Sequence, residues 1–337
     1  MEKTTLSLNI KKPWNWKEFF FQWEWMLFLI FILVLIINSI ISPFFLHMPT
    51  ILGAFRLFLD KAFIVFPMMM VIALGRIDIS VSSNVALTSV LMAVLFNAGL
   101  PLPLALVAAL IIGTILGGFT GLIQVKFPEL PAMICTLSTM TIYRGIAFVV
   151  LRDQAAGGFP SWFSFFAWGY VGPFPFILVM FVFVAIIFSV VIHKTGFGRT
   201  IFGMGSNLLA CQYSGVKTNH VFMKVALLTG LMCGVCAIFL TSRMGSTRPN
   251  VAAFYELDVI AIVVLGGVST SGGIGRVIGP ILAVLIVGFL QFGLGLMNVS
   301  AQAMLVILGL LLILSVLINN LRVNKITNKQ NKSKQNK

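Results

Sequence analysis

From Met26 to Ile41 the sequence carries no charged side chain, and similar apolar runs recur as far as Ile318. A backbone placed in hydrocarbon finds no water, so its N–H and C=O groups must bond within a helix or a closed barrel. Runs approaching the length of about 20 residues that crosses a bilayer as a helix favour the first solution. Composition closes off the soluble alternative. Charged residues make up 9% of the 337 residues and apolar ones 59%, against roughly 25% and 45–50% in ordinary globular domains. With a mean hydropathy of +1.05, the chain cannot cover a soluble surface. The expected fold class is all-α, a polytopic transmembrane helical bundle.

Hydropathy and Gly/Pro breaks divide the chain into about ten expected spans: 26–42, 61–75, 82–97, 101–125, 132–151, 173–192, 222–242, 258–270, 277–297 and 302–319. Several are short or interrupted, which membrane proteins tolerate where neighbouring helices or a wet cavity satisfy the freed backbone. Residues 1–25, with Trp14, Trp16, Trp23 and Trp25 among lysines, form an N-terminal segment on the cytoplasmic headgroups. No cleavable signal peptide is expected. The transmembrane domain covers 26–320, with its largest cytoplasmic loop at about 193–222, and a basic tail follows at 321–337. Of 23 Lys and Arg, only Arg56, Lys61, Arg144, Arg152, Arg243 and Arg248 fall on the outer side if both termini are cytoplasmic. That bias obeys the positive-inside rule and supports an even number of spans.

The net charge of +14 is concentrated in the tails beside apolar runs. Anionic membrane lipid explains it better than nucleic acid, for which no folded basic face is offered. The outer loop 152–173 holds Phe159, Trp162, Phe163, Phe165, Phe166, Trp168 and Tyr170, a composition suited to an aromatic belt or to a docking surface. Cys233 and Cys236 lie inside an apolar run and read as packing thiols. His47, His193 and His220 are too scattered to hold a metal. No G-x-x-x-x-G-K-[ST] occurs, so the chain has no P-loop of its own. Gly267-Val-Ser-Thr-Ser lacks the second glycine of a nucleophile elbow. No catalytic residue is expected.

The informative residues are polar ones set among apolar runs. Asp78, Ser80 and Asn84 follow Gly75, and Glu256 and Asp258 precede Ile260. Ser269 and Ser271 lie in the glycine-rich stretch Leu265–Gly275. A charge at the bilayer centre costs roughly 2.5–3.5 kcal/mol on insertion scales, so such residues need a partner or a wet path. They are candidates for a translocation path or gate. Equally, Asp78 can neutralise Arg76 or cap the helix that begins near Ser80, and Glu256 with Asp258 can cap the eighth span at its N-terminus. A faint similarity between Ser89–Leu95 and Pro280–Leu285 hints at two related halves. One alternative is an ion- or proton-coupled secondary transporter, with Asp78 or Glu256 as the proton carrier.

Four motifs then occur in order: Gly75-Arg-Ile-Asp-Ile-Ser80, Leu130–Leu137 with Tyr143-Arg-Gly145, Gly198–Gly205, and Tyr255-Glu-Leu-Asp258 through Gly275. Through them the chain resembles the permease subunits of bacterial ATP-binding cassette (ABC) importers of the ribose, rhamnose and autoinducer-2 type, from about residue 40 to 320. The resemblance implies a subunit that is not an enzyme and binds no cofactor, ATP being used by a partner. The implied partners are a tandem-domain ATPase subunit, a second permease subunit (homo- or heterodimer) and a periplasmic or lipid-anchored solute-binding protein. It further implies a cytoplasmic coupling helix of the pattern E-A-A-x-x-x-G. Here the matching positions are Leu209-Ala-Cys-Gln-Tyr-Ser-Gly215, so that Ala210 and Gly215 agree, Cys211 replaces Ala and Leu209 replaces the acid. The coupling candidates are Asn207, Leu209, Ala210, Cys211, Ser214, Gly215 and Val216. Arg76 stands where the family pattern has a second glycine.

Overall fold

The computed structural model describes residues 23–300 and, beyond them, residues 302–304, 306, 307, 309, 310, 313, 314 and 317. The tails at 1–22 and 318–337 lie outside the described residues, as do the expectations for them. Twelve helices follow one another: α1 (Trp23–Ile41), α2 (Met48–Ala73), α3 (Val81–Asn97), α4 (Leu102–Lys126), α5 (Ala132–Leu151), the short α6 (Phe165–Trp168), α7 (Phe176–Lys194), α8 (Gly196–Ser206), α9 (Leu208–Tyr213), α10 (Thr218–Met244), α11 (Tyr255–Leu265) and α12 (Ile278–Leu296). The small strand pairs are peripheral. β1 (Ala156–Gly157) joins β4 (Ser246–Thr247), and β2 (Tyr170–Val171) joins β3 (Phe174–Pro175), both antiparallel.

Among the described residues six helices are long and apolar enough to cross a membrane: α1, α4, α5, α7, α10 and α12. Three other expected spans take a different form. The span expected at 61–75 belongs to a helix that starts at Met48, behind Pro49 in its first turn, and carries Arg56, Asp60 and Lys61. The span at 82–97 is α3, 17 residues long, and that at 258–270 is α11, which stops after 11 residues at Leu265. The tenth, 302–319, lies only partly within the described residues. The reason for the difference is location. Every residue of α2 from Phe58 to Ala73 is buried, as are every residue of α3 from Val81 to Val90 and most of α11. A helix wrapped by other helices needs neither a full apolar circumference nor a full span.

The surrounding helices are built the other way round. On α5 the buried positions are Cys135, Thr136, Thr139, Tyr143 and Ala147, spaced one turn apart. Its exposed positions include Ile134, Leu137, Ile142, Ile146 and Val149. Thr136, Thr139 and Tyr143 turn their hydroxyls inward, whereas the exposed Thr141 satisfies its own by donating to Leu137 O one turn back.

The most extensive helix contact joins α4 to α10, and it is made by missing side chains. Gly113, Gly117 and Gly121 of α4 recur every four residues, as do Ala226, Gly230 and Gly234 of α10. A Cβ on Gly117 would stand 2.5 Å from Ala226 O, and one on Gly113 2.6 Å from Gly230 O. Lipid is as apolar as leucine, so helices in it associate through such close backbone approach. Gly117→Ala is therefore expected to lower the thermal midpoint in detergent, and Gly117→Leu to abolish the monodisperse folded peak in size-exclusion chromatography. Gly53→Ala in α2, where a Cβ meets nothing within 4 Å, is the control expected to leave both measurements unchanged.

Candidate functional site

Two polar regions sit at opposite ends of the bundle. At one end α2 stops at Ala73, and Gly75 (φ 73°) turns the chain toward α3. The break is held by Asp78, whose Oδ1 accepts from Ser80 N (2.9 Å) and Ser80 Oγ (2.6 Å). An aspartate bonding the backbone two residues on makes a local turn of this kind without tertiary help. Burial pushes the Asp78 carboxyl up, against the lowering effect of its bonds from Ser80. Ser80 Oγ lies 3.5 Å from Thr120 Oγ1, which shares a hydrogen bond with Tyr143 OH at 2.9 Å. Asn84 Nδ2 donates to Gly113 O (3.2 Å) and its Oδ1 accepts from Thr88 (3.1 Å). Asp78, Ser80 and Asn84 thus form one buried strip tying α3 to α4 and α5. Arg76 forms no ion pair with Asp78. It donates to Gln124 (3.0 Å) and lies 3.7 Å from the centre of the Phe222 ring, pinning the break to the end of α4 and the start of α10.

The glycine-rich stretch reaches the same place. Gly273 N donates to Ala73 O at 2.9 Å, capping a carbonyl that α2 leaves open. Within the loop Ser269 N donates to Ile274 O, and Ser269 Oγ accepts from Ser271 N (3.3 Å). Ser271 O lies 3.6 Å from where a Gly75 Cβ would be. Gly205, near the end of α8, fills the remaining space: a Cβ on it would overlap Ala73 O and stand 2.5 Å from Gly273 N. Three chain segments therefore meet backbone to backbone with no side chain between them. Trp23 closes the far side, donating from Nε1 to Leu265 O at 2.9 Å.

The helices α8 and α9 occupy the loop expected to carry the cytoplasmic contact. Thr195 caps α8 by accepting from Gly198 N, and Asn207 caps α9 by accepting from Ala210 N at 2.9 Å. Ser214 donates to Ala210 O, Gly215 (φ 81°) ends the helix, and Val216 N returns to Cys211 O. Leu209, Ala210, Ser214 and Gly215 are exposed, while Cys211 and Val216 are half-buried.

At the opposite end the remaining candidates meet residues that sequence reasoning missed. Asp258 forms an ion pair with Lys61, which also donates to Gln291 Oε1 (2.7 Å). Next to Lys61, Asp60 pairs with Arg243 (2.8 Å), and Tyr255 OH donates to the same Oδ2 (3.2 Å). Two cations and two anions from α2, α10 and α11, with Gln291 of α12, make a neutral buried cluster. Lys61 and Arg243, read from sequence as cations near the outer face, belong to it. The available signal was the adjacent opposite pair Asp60–Lys61 inside an apolar run. Glu256 is different: it is buried, and its Oε2 has no hydrogen-bond partner among the described residues. Arg144 is spent on the carbonyls of Pro249 (2.7 Å) and Val251 (2.8 Å). The structure thus does not bring Glu256 and Asp258 together with Asp78. No group of three or more His, Cys, Asp or Glu able to hold a metal occurs among the described residues.

A bundle of lipid-facing apolar helices around buried polar ones, with two interrupted helices joined at one end, defines a membrane permease. The chain belongs to the family described as "Branched-chain amino acid transport system / permease component", whose pattern matches residues 50–316. It is 39% identical to the ribose import permease protein RbsC of Bacillus subtilis over 86% of this chain and 90% of that protein. The corresponding protein of Haemophilus influenzae is 36% identical over 87% and 92%. The autoinducer 2 import system permease protein LsrD of Salmonella typhimurium is 33% identical over 89% and 92%. No solved structure matches the chain at a significant level.

Removing one member of a buried ion pair costs about 3–5 kcal/mol, while replacing both by apolar groups is often neutral. Lys61→Met is accordingly expected to lower the thermal midpoint strongly, and Lys61→Met with Asp258→Leu to recover most of the loss. Differential scanning fluorimetry in detergent reads both.

Proposed function

We propose that the chain is the permease subunit of an ABC importer in the bacterial cytoplasmic membrane, with both termini in the cytoplasm. Its cargo is a monosaccharide or sugar-like solute: a pentose such as ribose, a rhamnose-type deoxyhexose, or autoinducer-2. Energy comes from a separate, tandem-domain ATPase subunit, and the chain works as a dimer with a second permease subunit. A periplasmic or lipid-anchored binding protein delivers the solute. The relatives' names support the cargo class.

The observation that carries the mechanism is the glycine junction. The segment that would receive a push from the ATPase, α8–α9, abuts both the break after α2 and the break after α11 at Gly205. A displacement of α8 therefore reaches both interrupted helices without passing through a flexible side chain. Asp78, Ser80, Asn84, Ser269 and Ser271 act here as the hydroxyl, amide and carboxylate scaffold of the gate. Asp258 anchors the opposite end, where Glu256 offers a buried acceptor oxygen without a hydrogen-bond partner among the described residues. Coupling follows if nucleotide and solute each favour one of two arrangements of this junction.

Reconstitution with ATPase and binding protein is expected to give ATP-dependent accumulation of labelled ribose or autoinducer-2. Vesicles holding this chain alone that accumulate solute on a proton gradient would overturn the reading in favour of a secondary transporter. Gly215→Val, which forces a β-branched residue into a left-handed conformation costing about 1–2 kcal/mol or more, is expected to abolish uptake while membrane insertion stays normal. Gly215→Asn, tolerant of that conformation, is expected to retain most uptake.

A further inference from the structure

The loop that leads into α11 is held in a costly shape. Ala252 (φ 56°) and Phe254 (φ 67°) both adopt the left-handed conformation, which side chains with a Cβ disfavour and which persists only where the surroundings impose it. Arg144 of α5 grips this loop, donating to Pro249 O (2.7 Å) and Val251 O (2.8 Å). Both bonds come from Nη1, and neither Nε nor Nη2 makes a hydrogen bond among the described residues. The first turn of α11 carries a second cost. Glu256 is 5% exposed, and its Oε2 is buried without a hydrogen-bond partner among the described residues. Its neighbours Asp60 and Asp258 are paired with Arg243 and Lys61. Glu256 lies within electrostatic reach of Arg144, yet the two form no ion pair. An unpaired buried carboxylate and a half-used guanidinium thus stand near one another without joining.

Resting on the ABC-importer reading above, we propose that Arg144 is a two-position latch on the start of α11. In the arrangement described, Nη1 clamps residues 249–254 in their left-handed shape. In the second arrangement of the transport cycle the guanidinium turns its fork onto Glu256, a geometry that suits Arg and a carboxylate. The carbonyls of Pro249 and Val251 are then released, and Ala252 and Phe254 relax. Each position satisfies what the other leaves open, which keeps the two close in energy, as a switching element requires. Tyr255 and Asp258 lie in the same first turn of α11. Release of the loop therefore moves the partners of Asp60 and Lys61 with it.

The test reads two quantities: the thermal midpoint of the full chain in detergent, and ATP-driven uptake after reconstitution with the ATPase and binding protein. The probe is labelled ribose or autoinducer-2, whichever the unmodified chain accumulates. Arg144→Lys keeps one nitrogen for the two carbonyls and loses the fork. It is expected to leave the midpoint nearly unchanged and to lower uptake kcat about tenfold, with KM within about twofold. Glu256→Gln removes the unpaired buried charge. It is expected to raise the midpoint and to lower kcat by a similar factor. Because both act on one latch, the double variant is expected to lose about tenfold and not about a hundredfold. Ala252→Gly, which takes the left-handed shape freely, favours the clamped arrangement. It is expected to raise the midpoint and to slow uptake about threefold. Multiplied losses in the double variant would overturn the latch, as would a lower midpoint for Glu256→Gln, the mark of a structural carboxylate. A raised KM with unchanged kcat in Glu256→Gln would overturn it too, making that residue a contact of the solute. Failure of the unmodified chain to accumulate either solute with ATP would overturn the importer reading itself, and this inference with it.

Discussion

Hydrocarbon offers nothing to hydrogen-bond with, and the architecture of this chain follows from that constraint. Groups that water would otherwise satisfy are drawn together inside a ring of lipid-compatible helices. The pairs Asp60–Arg243 and Lys61–Asp258, with Tyr255 and Gln291, are its clearest product. Four charges with no net charge between them share their hydrogen bonds across four helices. The same constraint explains the threonines and Tyr143 on the inward face of α5, and the outward leucines and isoleucines beside them.

Because apolar burial gives no preference for helix over lipid, cohesion has to come from fit. The α4–α10 crossing supplies it through glycines spaced every fourth residue. The junction of Ala73, Gly205 and Gly273 uses the same device at the ends of interrupted helices. One device serves packing, where two rods lie side by side. At the junction it brings three chain segments into direct backbone contact.

Much of this was legible in the sequence. The six apolar helices stand where the hydropathy runs put them, α5 agreeing to the residue. Asp78 bonds Ser80 in the turn that leads into α3 and does not cap the helix itself, and Gly215 ends a helix as its place after Ser214 suggests. What was not legible depended on distant partners. A periodicity reading sees Asp60 and Lys61 as the edge of a span, because nothing local says that Arg243 and Asp258 will neutralise them. It likewise cannot size α2 or α11, since a helix enclosed by its neighbours is freed from the apolar length that lipid demands. The contact of Gly205 with Ala73, far away in sequence, leaves no trace in either neighbourhood. Arg76 was legible as a departure from the family pattern, but its partners Gln124 and Phe222 were not.

The small ladder between β1 and β4 has a consequence for the opposite face. It staples the start of the aromatic loop to the segment immediately after α10, pairing Ala156 with Thr247 and Gly157 with Ser246. Thr247 in turn shares a hydroxyl bond with Ser89 of α3 at 2.7 Å. The aromatic loop, the segment after α10 and α3 are thus stitched into one unit, so that any tilt of α3 would be carried into the loop through a single hydroxyl bond and a two-residue ladder.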